Sequence, residues 1–161
     1  MVARLLDSSP SQGVVRGSGS RARDVLLATL AVRFDPRAER VAIDSALDTG
    51  ARLVLASMLT LPPYPLTHML AREYATLPHE EDLDAVRAAA GRVAALGLRT
   101  ELLRVSSPRP VVALIELACE RDAGLLVFGP DPSRVSRRSY RRAARAIRRD
   151  APCLVWIAGK E

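Results

Sequence analysis

Short apolar runs alternate along this chain with stretches whose apolar residues recur at helical spacing. Val25 to Val32 is apolar without strict alternation, the pattern of a strand buried on both faces. Asp35-Pro36 then opens a helix, with Asp as N-cap and Pro in the first turn. Val41, Ala42, Ser45, Ala46 and Thr49 share one face of it, and Gly50 is its C-cap. Leu53 to Leu59 reads as a second buried strand. The prolines at 62, 63 and 65 forbid regular structure at the start of the next stretch, which runs irregularly to about Pro78, with room for a short helix over Thr67 to Thr76. Glu80 to Leu96 is helical, with Leu83, Val86, Ala90, Val93, Ala94 and Leu96 on one side and Gly97 as its stop. Leu98 to Val105 alternates, as an edge strand does. Ser107-Pro108 starts another helix, with Val112, Leu114, Ile115, Leu117 and Ala118 facing inward and Gly124 at its end. Leu125 to Phe128 is a strand, residues 134 to 150 form an Arg-rich helix, and Cys153 to Ala158 is the last strand.

Strands that alternate with helices call for a parallel sheet covered on both faces. Right-handed crossovers then favour an α/β fold with an open, doubly wound five-stranded parallel sheet in the order 3-2-1-4-5. Ligands in such sheets sit at the carboxyl ends of the strands beside the switch point, here Leu30 to Asp35 and Gly129 to Ser133.

A chain of 161 residues fits one domain. Residues 1–23 read as a flexible N-terminal tail, because 8 to 22 are rich in Ser and Gly and lack periodicity. Residues 24–161 are the single α/β domain. The two cysteines, Cys119 and Cys153, have no metal-like or CxxC spacing, so two buried thiols of a reduced, cytoplasmic protein are expected. No apolar run is long enough to span a membrane, and the N-terminus has no apolar signal core. The formal net charge is +6, but it is not spread evenly: residues 134 to 150 alone carry about +7. The basic character describes one surface.

Asp122-Ala123-Gly124-Leu125-Leu126-Val127-Phe128-Gly129 resembles the "GADLIVMG" strand of the universal stress protein family, and Ala151-Pro152-Cys153-Leu154-Val155-Trp156-Ile157 resembles its closing "APCPVLVV". The helix Val111 to Arg121 fits the same register, and the resemblance extends over residues 24 to 158. It implies an adenine nucleotide α-hydrolase-like fold and dimers formed around the last strand, hence a homodimer through Cys153 to Ala158, with Trp156 either in or beside the interface or simply packed under a helix. Nucleotide-binding members carry Gly-x-x-Gly, nine residues, then Gly-Ser or Gly-Thr after the fourth strand. Here Gly129 matches the first glycine, and Pro132, which has no N–H to give a phosphate, occupies the second. The Gly-Ser pair falls on Arg141-Arg142 counted back from Ala151-Pro152, or on Arg142-Ala143 counted forward from Gly129. Leu30 stands where the family usually has an acidic residue at the end of strand one. The three departures argue against the family's ATP mode, so no cofactor is expected.

Arginine binds phosphate without a glycine nest, through paired charge-assisted hydrogen bonds. Gly129, Ser133, Arg141 and Arg142 are therefore the candidates for a nucleotide or other phosphate anion at the switch point. The simpler reading makes Arg134, Arg137, Arg138, Arg141, Arg145, Arg148 and Arg149 a solvated face, with Tyr140, Ala143, Ala144, Ile147 and Ala151 packed inward. Nucleic acid fits the local charge but lacks an aromatic platform or reading motif. His68 and His79 have acidic neighbours, yet His79-Glu80-Glu81-Asp82 reads as an acidic helix start. Ser106 and Ser107 read as a helix cap. No Ser-His-Asp or Cys-His set stands out, so no catalytic residue and no metal ligand is assigned. The expected function is a regulatory or scaffolding protein of the stress response, not an enzyme, with an unidentified protein partner. A phosphate or nucleotide sensor is the alternative.

Overall fold

The computed structural model describes residues 21–61 and 79–159. Residues 1–20 of the tail expected over 1–23, the short helix expected over Thr67 to Thr76, and His68 lie outside the described residues. The elements run β1 (Val25–Thr29), α1 (Pro36–Thr49), β2 (Leu53–Thr60), α2 (Glu80–Ala95), β3 (Thr100–Ser107), α3 (Pro110–Glu120), β4 (Leu125–Phe128), α4 (Arg137–Asp150) and β5 (Leu154–Ile157). The strands form one parallel sheet in the order β3-β2-β1-β4-β5, as the alternation of elements requires.

β1 is central, paired to β2 on one side and β4 on the other, and every one of its side chains is buried. That position explains its unbroken apolar run. Leu27 and Leu55 face α1 and α2 through Ala38, Ala42, Ala46, Val86, Ala89 and Val93. Leu26, Val54 and Phe128 face α3 and α4 through Leu114, Leu117, Ala118, Ala143 and Ile147. The small residues on α1 let that helix lie close to the sheet. β3 is an edge strand whose burial alternates, as its sequence does. Among the described residues no helix is long and apolar enough to cross a membrane.

Caps settle where the helices begin and end. Asp35 caps α1, its carboxylate accepting from the Arg37 N–H at 2.7 Å, and Gly50 ends it at φ 64°. Several boundaries differ from the sequence expectation, each by one to three residues. β1 stops at Thr29 and does not reach Val32, because the Thr29 hydroxyl donates to the Val32 carbonyl (2.8 Å) and Ala31 turns the chain at φ 53°. Ser106 and Ser107 belong to β3, and α3 starts only at Pro110; Ser107 Oγ still accepts from the Arg109 N–H at 3.1 Å. Val112 turns outward on α3, and so does Cys119, which is exposed where a buried thiol was expected.

Candidate functional site

The carboxyl ends of β1 and β4 meet where the strand order reverses, so the loops leaving them, residues 30–35 and 129–136, shape any site there. Their own residues close it. The Asp35 N–H donates to the Gly129 carbonyl and the Asp131 N–H to the Arg33 carbonyl, both at 2.9 Å, while Phe34 and Pro130 form an isolated bridge. Gly129 sits against α1: a Cβ built on it would lie 2.0 Å from the Ala38 Cβ. Glycine is therefore required there for packing between β4 and α1, whatever else the position does.

The backbone donors of the second loop can be followed one by one. The Gly129 N–H donates to the Ala28 carbonyl (3.0 Å), and the Asp131 N–H to Arg33 as above. The Ser133 N–H donates to Asp131 Oδ1 at 2.9 Å, and the Arg134 N–H to the Asp131 carbonyl at 3.0 Å. Pro130 and Pro132 have no N–H. Every donor from Gly129 to Arg134 is engaged inside the protein or missing. The Ser133 hydroxyl also donates to Asp131 Oδ1, at 2.7 Å.

Electrostatics add to this closure. Burial alone would raise the Asp131 carboxyl, but the Ser133 hydroxyl, the Ser133 N–H and the Arg33 and Arg134 charges outweigh it and hold the group below the usual carboxylate range. Asp131 is thus an anion at neutral pH in the turn that follows β4. Arg33 and Arg134 face one buried and one exposed carboxylate. Asp82 is buried, and its Oδ1 accepts from the Arg33 N–H (3.2 Å) and Nε (3.1 Å). Glu81 pairs with Arg134 at 3.0 Å and with Arg33 at 3.5 Å. Arg33 and Arg134 are thus already paired with carboxylates at this end of the sheet, while Pro132 and Val135 of the same loop border a groove lined by Arg137, Arg141, Arg145 and Arg148.

The whole described sheet and its helices match a model of the universal stress protein family over residues 22–159. The chain belongs to the universal stress protein family. Solved members share its fold at low identity. UspA from Lactobacillus plantarum superposes with a TM-score of 0.65 at 18% identity, covering 87% of this chain and 99% of that one. A member from Burkholderia pseudomallei gives 0.58 at 23%, covering 87% and 98%. A universal stress protein solved in complex with cAMP gives 0.57 at 23%, covering 87% and 99%. No curated protein sequence matches the chain.

Against the fold of a universal stress protein, the four candidate residues divide. Gly129 and Ser133 share the loop after β4, both with their donors engaged. Arg141 and Arg142 lie in the second turn of α4, which starts at Arg137, so their N–H groups close the helix's own hydrogen bonds. The N-cap is Ser136, whose Oγ accepts from the Ser139 N–H at 3.2 Å. Arg141 lines a groove of about 450 Å³ between α4 and β5 that neither Gly129 nor Ser133 lines. Arg142 lies on the outer face beside Arg138 and Arg149. The arginines of α4 are exposed, while Ala143, Ala144 and Ile147 are buried, as their helical spacing requires. Tyr140 packs on Phe128 with ring centroids 5.8 Å apart, and its hydroxyl donates to the Ala158 carbonyl. Burial, and then the Asp35 charge, raise its pKa.

Sequence reasoning missed Arg33, Asp82 and Asp131. Asp82 carried a readable signal: it precedes Val86, Ala89 and Val93 at spacings of four, seven and eleven residues, on the stripe that faces the core. Asp131, between two prolines and two residues before a serine, has the pattern of a side chain that caps its own turn.

Proposed function

We propose that this universal stress protein works by binding other proteins, as a regulatory or scaffolding element of the stress response, without chemistry of its own and without ATP in the family's usual seat. One observation carries the reading: from Gly129 to Arg134 no backbone donor is left to meet a phosphate. The pairing of Arg33 and Arg134 with Glu81 and Asp82 supports the same reading. The β5 edge is the docking strand in this reading, with a second copy of the chain as its default occupant, and the protein works in the cytoplasm. Apolar edge strands associate readily, and Leu154 is 75% exposed there.

A phosphate or nucleotide sensor is the competing reading. It is favoured by two solved members of the same fold, one in complex with cAMP and one from Archaeoglobus fulgidus in complex with dAMP. Thermal-shift and calorimetric titrations with ATP, AMP, cyclic AMP and inorganic phosphate separate the two. Ligand at about 100 times its Kd stabilises a protein by roughly 2.7 kcal/mol, an easily measured shift. The scaffold reading expects none from any of the four; micromolar ATP binding would overturn it.

A further inference from the structure

We infer that the outward face of α4 binds the phosphate backbone of double-stranded DNA without reading its sequence. This activity lies beyond the scaffold reading and makes no use of the β5 edge. At 3.6 residues per turn, the seven arginines of α4 fall within an arc of about 140°. All seven are exposed, and six of them, with Ala146, line one hollow on the outside of the helix. Among the described residues, the one carboxylate paired with them is Asp150, on Arg149. The opposite arc carries the buried Ala143, Ala144 and Ile147, which seat the helix on the sheet and so keep the charged arc turned outward.

The make-up of this face selects among polyanions. A protein interface keeps charge out of its centre and places aromatic and apolar side chains there, whereas this arc is guanidinium throughout. Interfaces with duplex DNA are strongly cationic, and at least half of their hydrogen bonds go to phosphate and sugar. Arginine meets a phosphate with paired, planar hydrogen bonds. Single strands need aromatic faces to stack on, but Tyr140 is turned inward onto Phe128 and Ala158. An anionic bilayer is broad, and it takes apolar side chains from a helix that lies on it. The arc has none to give, and α3, beside it on the same face of the sheet, would press the exposed Glu116 and Glu120 against that surface. A duplex is narrow enough to follow α4 alone. The 14-residue helix is about 21 Å long, and that length of B-form axis carries about a dozen phosphates. The B-form major groove, about 12 Å wide, admits a helix, whereas the major groove of duplex RNA is too narrow. The arc can therefore sit in the groove mouth with guanidiniums toward both strands.

A second copy on β5 leaves this face in place. Antiparallel pairing of two edge strands in one continuous sheet relates the copies by a two-fold axis perpendicular to that sheet. Both α4 helices then lie on the same side, and the cationic surface is doubled. Like charge keeps either arc from covering the other.

The test is a titration of the full chain into a fluorescently labelled DNA duplex of about 20 base pairs, read by anisotropy between about 50 and 200 mM sodium chloride. About five phosphate contacts give a slope of log K against log salt near −4.5, a loss of about 500-fold over that range. Duplexes of two unrelated sequences should bind within about threefold of each other. The R141Q/R145Q variant should bind at least about tenfold more weakly, flatten the slope by about 2, and keep an unreduced thermal midpoint. R37Q/R40Q removes the same charge from exposed positions of α1, on the other face of the sheet, and should bind within about threefold of the parent. No binding at the lowest salt, a slope shallower than about −2, or equal losses in the two variants overturns the inference. Tighter binding of duplex RNA, oligothymidylate, polyglutamate or phosphatidylserine vesicles than of the DNA duplex overturns it too. None of these failures touches the docking-strand reading of β5, which sedimentation of the chain alone tests.

Discussion

Gly129 occupies a point where a methyl group has no room. Its would-be Cβ meets the Ala38 Cβ, part of α1's buried face and not a flexible side-chain end, so α1 and β4 would have to separate. Gly129→Ala should cost about 2–3 kcal/mol in urea unfolding, the scale of overpacking in a tight core. Adding Ala38→Gly removes the opposing methyl group and should return part of that loss, even though glycine costs the helix about 1 kcal/mol. A non-additive double-mutant cycle would show that this glycine serves helix packing. Two positions on, Asp131 has a carboxyl held below its ordinary range by the opposed effects described above. Its folded value is the lower one, so the stabilisation is fully present above the ordinary carboxylate range and is lost as pH falls through the depressed value. Asp131→Asn keeps an acceptor for Ser133 and removes the charge. It should be less stable than the parent at neutral pH and converge with it in acid, as unfolding titrations at several pH values would show.

At the scale of elements, what could be read from the sequence was what depends on local periodicity. The four described helices announced themselves through apolar spacing and, in α1, through Asp35, Pro36 and Gly50 as its punctuation. On α2 the spacing misled in part: Ala94 and Leu96, expected on the inward face, are exposed, and Ala89 is buried there. The strand order followed because strands alternating with helices leave few parallel arrangements. The errors fall where a tertiary contact overrides a local pattern. Ala31 and Val32 are apolar enough to continue β1, but the chain must turn after Thr29 to bring Arg33 over Asp82 and Phe34 onto Pro130. Cys119 looks apolar, yet Leu117 and Ala118 already fill α3's inward face. The candidate site was half legible. Pro130 and Pro132, which have no N–H, stand in the sequence, so two of the loop's positions could be read as lacking a backbone donor. The bonds that engage Gly129 and Asp131 could not be read there, because their acceptors, the Ala28 and Arg33 carbonyls, lie on a distant segment that only the fold brings near; those of Ser133 and Arg134 stay within the Asp131 turn.

At the scale of the whole molecule, charge is sorted by surface, and this decides how the protein should respond to salt. α4 sets Arg137 against Arg141, Arg138 against Arg142, Arg141 against Arg145 and Arg145 against Arg149, all one turn apart and all exposed. Each such like-charge pair costs about 0.2–0.5 kcal/mol at low salt, so the helix carries a repulsion on the order of 1–2 kcal/mol. Favourable pairs elsewhere act in the opposite sense, but the larger ones are sheltered. Arg121 grips Glu101 with two bonds, at 2.7 and 2.8 Å, where both side chains are about a third exposed or less. Arg52 joins Asp24 to the same Glu101 at the amino end of the sheet. Arg33 lies over the buried Asp82. Partly buried pairs are screened far less than exposed charges, so added salt should relieve the repulsion on α4 more than it weakens these attractions. Raising sodium chloride from about 10 mM to about 0.5 M should therefore lift the thermal midpoint by about 2–4 °C, the shift that roughly 1 kcal/mol produces in a domain of this size. The R141Q/R145Q variant should start with a higher midpoint at low salt and respond to salt weakly. If both proteins lose stability with salt to the same extent, the exposed ion pairs outweigh the cationic row, and α4 is not the place where this fold stores electrostatic strain.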